Sequence, residues 1–224
     1  MIHVEFHCHS DASPDSLVTG EQMIETAKQA GLDKIFFTDH NSIQGALRAR
    51  DLAPDLVLIG EEIQTTKGEI LAYLLEEEIP ARLSPEETIA AIREQGGVIS
   101  ISHPYDPYRG WNPQELEPYM QEIDALEVFN ARNLRSEYNE RALSEAQKHG
   151  LLFTAGSDAH TRMEIGRTRI IMPEFHDRES LLLALSQGTI IPRGSTPLVR
   201  MNSTFSKIYR KIRKNVNGGK NHSG

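Results

Sequence analysis

The sequence is short of several things, and each shortage excludes a class of protein. It holds a single cysteine, so no disulfide can form within the chain, and a reducing cytoplasm is the expected setting. No apolar run approaches the roughly 20 residues needed to span a bilayer. The opening Met-Ile-His-Val-Glu lacks the basic-then-apolar layout of a signal peptide, so no stable membrane association is expected. No Gly-rich dinucleotide loop interrupts the chain, which argues against an open, doubly wound nucleotide-binding sheet. Acidic residues are missing from the last stretch: positions 200–224 carry seven Lys/Arg and no Asp/Glu. The formal net charge of −8 therefore leaves −15 on residues 1–199. An acidic body suits a cation site and does not suit broad nucleic-acid contact.

What is present is an ordinary globular composition, 38% hydrophobic and 25% charged, in 224 residues, enough to bury a substantial core. Strand-like and helix-like segments alternate to residue 193. The first strand is read over Ile2–His9, with Ile2, Val4, Phe6 and Cys8 on one face and His7 and His9 on the other. Thr19 and Gln22 cap a helix that Gly31 stops, and Lys34–Thr38 is a second strand. A helix begins at Ser42, and Leu56–Ile59 is a third strand. Ile63–Thr66 and Ile70–Leu75 form a hairpin turning at Lys67-Gly68. Ser84-Pro85-Glu86-Glu87 starts a further helix, ending at Gly96-Gly97. Strands follow at Val98–Ile101, Ala125–Phe129, Leu151–Thr154, Thr168–Met172 and Thr189–Ile191, with helices over Pro113–Met120, Ser136–His149 and Arg178–Gln187. Such alternation predicts parallel strands joined by right-handed crossovers, closed into a barrel with its active site at the carboxyl ends of the strands.

Those strand ends are polar. They read His7-Cys8-His9 with Asp11 and Asp15 beyond, Thr38-Asp39-His40-Asn41, Gly60-Glu61-Glu62, Ser102-His103-Pro104, and Gly156-Ser157-Asp158-Ala159-His160. Imidazole with carboxylate is the ligand set of zinc, manganese or iron, and a bridging carboxylate can hold two ions. Cys8 reads as a packing residue, Asp11 as a loop cap, Glu61 as a solvated neighbour of Glu62, and His149 and His176 as helix-end or surface residues.

These five segments, in this order over residues 1 to about 193, resemble the polymerase and histidinol phosphatase (PHP) family of metal-dependent phosphoesterases. The resemblance implies a distorted (β/α)7 TIM-like barrel, spanning residues 1–195, that binds two or three divalent ions (Zn, Mn or Fe). It implies one ion on His7, His9, Glu62 and Asp158, and a second on Asp15, His40 and His160. Glu62 would bridge to a third ion shared with His103. Three-metal relatives carry a further histidine in a segment like Glu-Ile-His. This chain reads Glu69-Ile70-Leu71, so leucine is expected where that ligand would stand, leaving the third site to Tyr73, to water, or empty.

The expected chemistry is hydrolysis of a small phosphomonoester or nucleotide by a metal-bridged hydroxide, with His103, Arg109 and Arg132 as further catalytic groups. Arginine suits a phosphate because its planar fork donates two parallel hydrogen bonds. Two alternatives belong beside it: 5′-to-3′ exonuclease action on short oligonucleotides, and C–N bond hydrolysis of the amidohydrolase type. The latter commonly bridges its metals with a carboxylated lysine, and no lysine lies near these strand ends. A metal-binding module without catalysis is the non-enzymatic reading. The tail, 196–224, places Phe205, Ile208, Tyr209, Ile212 and Val216 at helical spacing among basic residues and is read as an amphipathic helix docked on the acidic body with a frayed end, the alternative being a basic helix that touches nucleic acid or an anionic membrane.

Overall fold

The apolar periodicity resolves into nine strands and six helices in a computed structural model that describes residues 1–195; the tail reading lies outside the described residues. The strands are β1 (Ile2–Glu5), β2 (Lys34–Phe37), β3 (Val57–Gln64), β4 (Glu69–Tyr73), β5 (Val98–Ile101), β6 (Ala125–Asn130), β7 (Leu152–Gly156), β8 (Arg169–Met172) and β9 (Thr189–Ile191). The helices are α1 (Gly20–Gln29), α2 (Gln44–Leu52), α3 (Pro85–Glu94), α4 (Pro113–Leu116), α5 (Ser136–His149) and α6 (Arg178–Ser186). Local chemistry sets the helix starts as expected. Thr19 with Gln22 and Ser84 with Glu87 form reciprocal capping boxes, and Pro85 stands in the first turn.

The sheet runs β7-β6-β5-β4-β3-β2-β1-β8-β9. Strands β1 and β7 meet again beyond their regular spans through a parallel bridge at Cys8 and Ala159, where His9 N–H donates to the Ala159 carbonyl at 2.9 Å. The sheet therefore nearly closes on itself as the expected distorted barrel. Uniform parallel pairing is not found. Strand β4 is antiparallel to both neighbours, and β8 and β9 are an antiparallel extension beside β1. The third strand and the first hairpin arm are one long element: β3 pairs parallel with β2 through Ile59 and then antiparallel with β4 from Gly60.

Two apolar clusters follow from the alternation. One lies between strands and helices, joining Ile35, Phe37, Ile59, Ile70, Ile99 and Leu126 to α1, α2, α3 and α5. The other gathers the opposite strand faces, Phe36, Leu71, Tyr73 and Val98, with Leu181 and Leu185 of α6. Toward the mouth this inner face turns polar: Val98, Ser100 and Ser102 follow one another along and just past β5, and Leu58, Gly60 and Glu62 along β3. Alternation along the first strand slips. Val4 and Phe6 belong to the inner cluster, whereas Cys8 packs in the outer one. Regular pairing stops at Glu5, which lets His7 follow Phe6 into the interior.

Glu61 is not solvated. It is buried on the outer face of β3, accepts from Ile79 N at 3.0 Å through Oε2, and leaves Oε1 without a hydrogen-bond partner among the described residues. Burial, helped by the nearby Glu78 carboxylate, pushes its carboxyl up from 4.5 to about 8. A carboxyl raised on folding costs stability as pH climbs from its unfolded to its folded value. Glu61→Gln should therefore flatten the loss of melting temperature between about pH 5 and pH 8. Parallel wild-type and variant profiles in thermal melts would contradict this. Gly156 is also constrained: a Cβ there would lie 2.2 Å from His7 Cβ. Gly156→Ala must push β7 from the first strand and should cost about 1–3 kcal/mol in denaturant unfolding.

Candidate metal centre

Seven of the eight expected ligands lie on or just past a strand, Asp15 lies in the loop between β1 and α1, and the structure brings all eight together. His7 Nε2 and His9 Nε2 are 3.1 Å apart. Glu62 Oε1 is 3.3 Å from His7 Nε2, and Glu62 Oε2 is 3.5 Å from His9 Nε2. Asp158 Oδ1 lies 3.7 Å from the first and 3.4 Å from the second. Tetrahedral ligands about 2.1 Å from a cation are separated from each other by about 3.4 Å. His7, His9 and Glu62 approach that spacing, and Asp158 stands at it from both imidazoles.

Outward hydrogen bonds orient the rings. His7 Nδ1 donates to Glu127 Oε1 at 2.8 Å. His9 Nδ1 is 3.2 Å from Ser13 Oγ, which passes its own proton to Asp39 Oδ1 at 2.7 Å. With both Nδ1 atoms engaged by outward partners, both Nε2 atoms turn inward toward each other, the side on which a cation would be held. The donor set therefore fits divalent metal. A second group joins Asp15 Oδ2 to His160 Nε2 at 3.2 Å and to His40 Nε2 at 3.5 Å. His160 Nδ1 lies 2.8 Å from the Asp158 carbonyl, to which it can donate, and Glu164 Oε2 accepts from His160 N at 3.0 Å. A third group centres on His103, whose Nε2 is 3.2 Å from Glu62 Oε1 and 3.3 Å from Glu69 Oε2.

The backbone is bent to present these groups. His103 and Asp158 have φ of +27° and +52°, and Asn41, next to His40, has +52°. Left-handed conformations cost about 1–3 kcal/mol each and persist where the surroundings hold them. Charge is organised too. Burial opposes a proton on His7, but Glu127, Glu62 and Asp158 outweigh it and hold the imidazole well above its usual range. Burial and the neighbouring His160 and His40 push His9 down to about 3. Despite burial, His7 and His40 hold Glu62 well below the carboxylate range, and Arg109 and His7 do the same for Asp158.

A cavity of about 620 Å³ opens over the cluster, lined in part by Asp15, His40, Glu69, Arg109, Arg132 and His160. Arg109 pairs with Asp158 and with Asp106 Oδ2 at 3.0 Å. Arg132 Nη1 lies 2.5 Å from His160 Nδ1. An exposed group on the outside, Glu117, Glu145 and His149, already has Lys148 beside both carboxylates.

With this geometry in view, likeness to known proteins can be placed. A family model described as PHP-associated matches residues 136–190. The Methanocaldococcus jannaschii protein MJ1587 is 38% identical over 138 residues, covering 60% of this chain and 80% of its own. A protein of Caldicellulosiruptor saccharolyticus named "Probable phosphatase" is 24% identical over 218 residues, 81% of this chain and 91% of that one. The chain belongs to the PHP family. The PHP fold is shared with a two-domain Bacteroides vulgatus protein that contains a predicted PHP-like metal-dependent phosphoesterase. It matches with a TM-score of 0.67 at 19% identity, over 86% of this chain and 65% of that one.

Against the PHP pattern, one expectation changes. Leu71 does not face an ion; it is fully buried in the inner apolar cluster, as is Tyr73. The carboxylate of Glu69 stands at the mouth instead. Sequence reasoning also passed over the groups behind the ligands. Glu127 supports His7 and accepts from His103 N at 2.8 Å, Asp39 anchors Ser13, and Ser102 donates to Glu62 Oε1 at 2.5 Å. Their signal was faint: a polar residue inside an otherwise apolar strand, as Glu127 is in Ala-Leu-Glu-Val-Phe. Removing such outer partners typically weakens metal binding 10–100-fold. Glu127→Ala should show a loss of that size in chelator competition, and unchanged affinity would remove Glu127 from the centre.

Proposed function

We propose that this chain hydrolyses a small phosphomonoester or nucleotide, with cations held by His7, His9, Glu62 and Asp158 and by Asp15, His40 and His160. The observation that carries the reading is the pair of His7 and His9 Nε2 atoms, 3.1 Å apart and within reach of the Glu62 and Asp158 carboxylates, beneath a cavity that Asp158, His40 and His160 line. When bound, divalent cations there would supply Lewis-acid polarisation of phosphoryl oxygens and a lowered pKa for water.

The chain's own residues complete the site. Arg109 and Arg132 line the cavity and supply fixed guanidinium donors for the equatorial oxygens of a phosphoryl group, where charge builds as the leaving oxygen departs. Arg109 is kept in place by Asp106 and Asp158, so little ordering remains to be done on substrate entry. His103 is not among the lining residues, and its Nε2 is turned to Glu62 and Glu69. We therefore assign it to ligation and not to proton transfer with the leaving group. Tyr108, 81% exposed at the rim, gives a planar surface that favours a nucleotide over a bare alkyl phosphate.

The test is a panel of phosphomonoesters, nucleotides and labelled oligonucleotides, offered to protein loaded with manganese, zinc or iron, with His7→Ala as the blank. Phosphate release well above the blank is expected. Arg132→Ala should lower kcat by about 10²-fold. Stepwise shortening of the oligonucleotide ladder without monoester turnover would favour the exonuclease reading. No release from any substrate with any metal would leave a metal-binding module.

A further inference from the structure

Strand β4 brings a carboxylate to the place left short by Leu71. In a parallel strand the mouth lies toward higher residue numbers; β4 is antiparallel to both neighbours, so its mouth end is its first residue. Leu71 stands opposite Glu62 on one side and Ser100 on the other, level with the polar floor. One same-face step toward the mouth is two residues earlier, at Glu69. That residue pairs with Gln64 and, by the register Ile70 to Ile101, faces Ser102, the residue before His103.

We infer that Glu69 is a protein ligand of a third cation, shared with Glu62 and His103. The inference rests on the proposed metal centre and extends it. Glu69 Oε2 is 3.3 Å and Glu62 Oε1 is 3.2 Å from His103 Nε2, each within the spacing of two ligands on one ion. His103 is 1% exposed, so its nitrogen is aimed at these two oxygens away from bulk water. His40 Nδ1 stands within 3.0 Å of Glu62 Oε2 and 3.9 Å of Glu69 Oε1, on the side shared with the other ions. Among the described residues, neither Glu62 nor Glu69 forms an ion pair with a lysine or arginine. Both carboxylates have only imidazoles as partners among these pairs, a donor set that a cation would balance.

The donor set also states which ion. The His7 and His9 group offers two imidazoles and two carboxylates, whereas this one offers a single imidazole and two carboxylates. Oxygen-rich sets favour manganese or magnesium over zinc, relative to imidazole-rich ones. The third position should therefore be the manganese-selective one.

The experiment counts ions and does not depend on turnover. Metal-depleted full-length protein is titrated with Mn2+, followed by electron paramagnetic resonance of free manganese and by elemental analysis after desalting. The wild type should hold three equivalents. Glu69→Leu should hold two, with the third weakened at least tenfold. Glu69→His should keep three sites but bind zinc in preference at the third, and a melting curve matching wild type shows that each variant is folded. Equal manganese counts and affinities in folded wild type and Glu69→Leu overturn this inference while leaving the proposed function standing. Failure of the wild type to bind any divalent ion overturns both.

Discussion

The carboxylate of Glu62 is the group on which the site depends. It is 1% exposed and lies within 3.0 to 3.5 Å of ring nitrogens from His7, His9, His40 and His103, which come from three separate strand ends. A lone buried carboxylate would cost several kcal/mol after relaxation, more than a marginally stable domain tolerates without compensation. Compensation here comes from a radial arrangement of partners. Ser102 donates to Glu62, while Glu127 and the Ser13–Asp39 relay set the faces of the two histidines it meets. Every ring that points a lone pair inward has its other nitrogen engaged or enclosed, so the inward donors are aimed before any ion arrives.

The barrel makes that aiming rigid. Its inner surface is graded: an apolar floor sealed by Leu181 and Leu185 of α6, a hydroxyl layer where Ser100 meets Thr154 at 2.7 Å, and the ligands above. Because the floor packs tightly, the ends of β3 and the first strand cannot shift independently, and side chains more than 100 residues apart in the chain keep separations of a few ångströms. Strain is confined to the mouth, where His103 and Asp158 take left-handed backbone conformations at the turns that present them. The arginines at the rim, Arg109 and Arg132, sit against acidic or imidazole partners, so cation groups for an anionic substrate are held within an otherwise acidic body.

Much of this was legible in one dimension. Alternating apolar segments and the capping boxes at Thr19 and Ser84 led to the barrel, and the resemblance carried by the polar strand ends led to eight candidate ligands. What was not legible has particular causes. Strand polarity is a relation between two segments, and nothing in Glu69-Ile70-Leu71 says that the strand runs against its neighbours, so the place of Glu69 at the mouth could not be read from it. The slip after Phe6 that turns His7 inward depends on where β1 loses its partner, which no period-two pattern records. Glu61 was assigned to solvent because glutamate usually lies there. Its burial is decided by the segment around Ile79, which folds over β3.

By itself, then, the order of residues determined which chemistry was on offer: imidazoles and carboxylates spaced by barrel units, one cysteine too few for a disulfide, and an acidic body. Local rules suffice for that, because capping, periodicity and side-chain type act within a few residues. Tertiary structure alone decided which carboxylate stands beside His103, which partner each histidine nitrogen meets, and which glutamate is buried. Those depend on strand direction and on hydrogen bonds between residues far apart along the chain, and only the closed sheet brings them within 3 or 4 Å of one another.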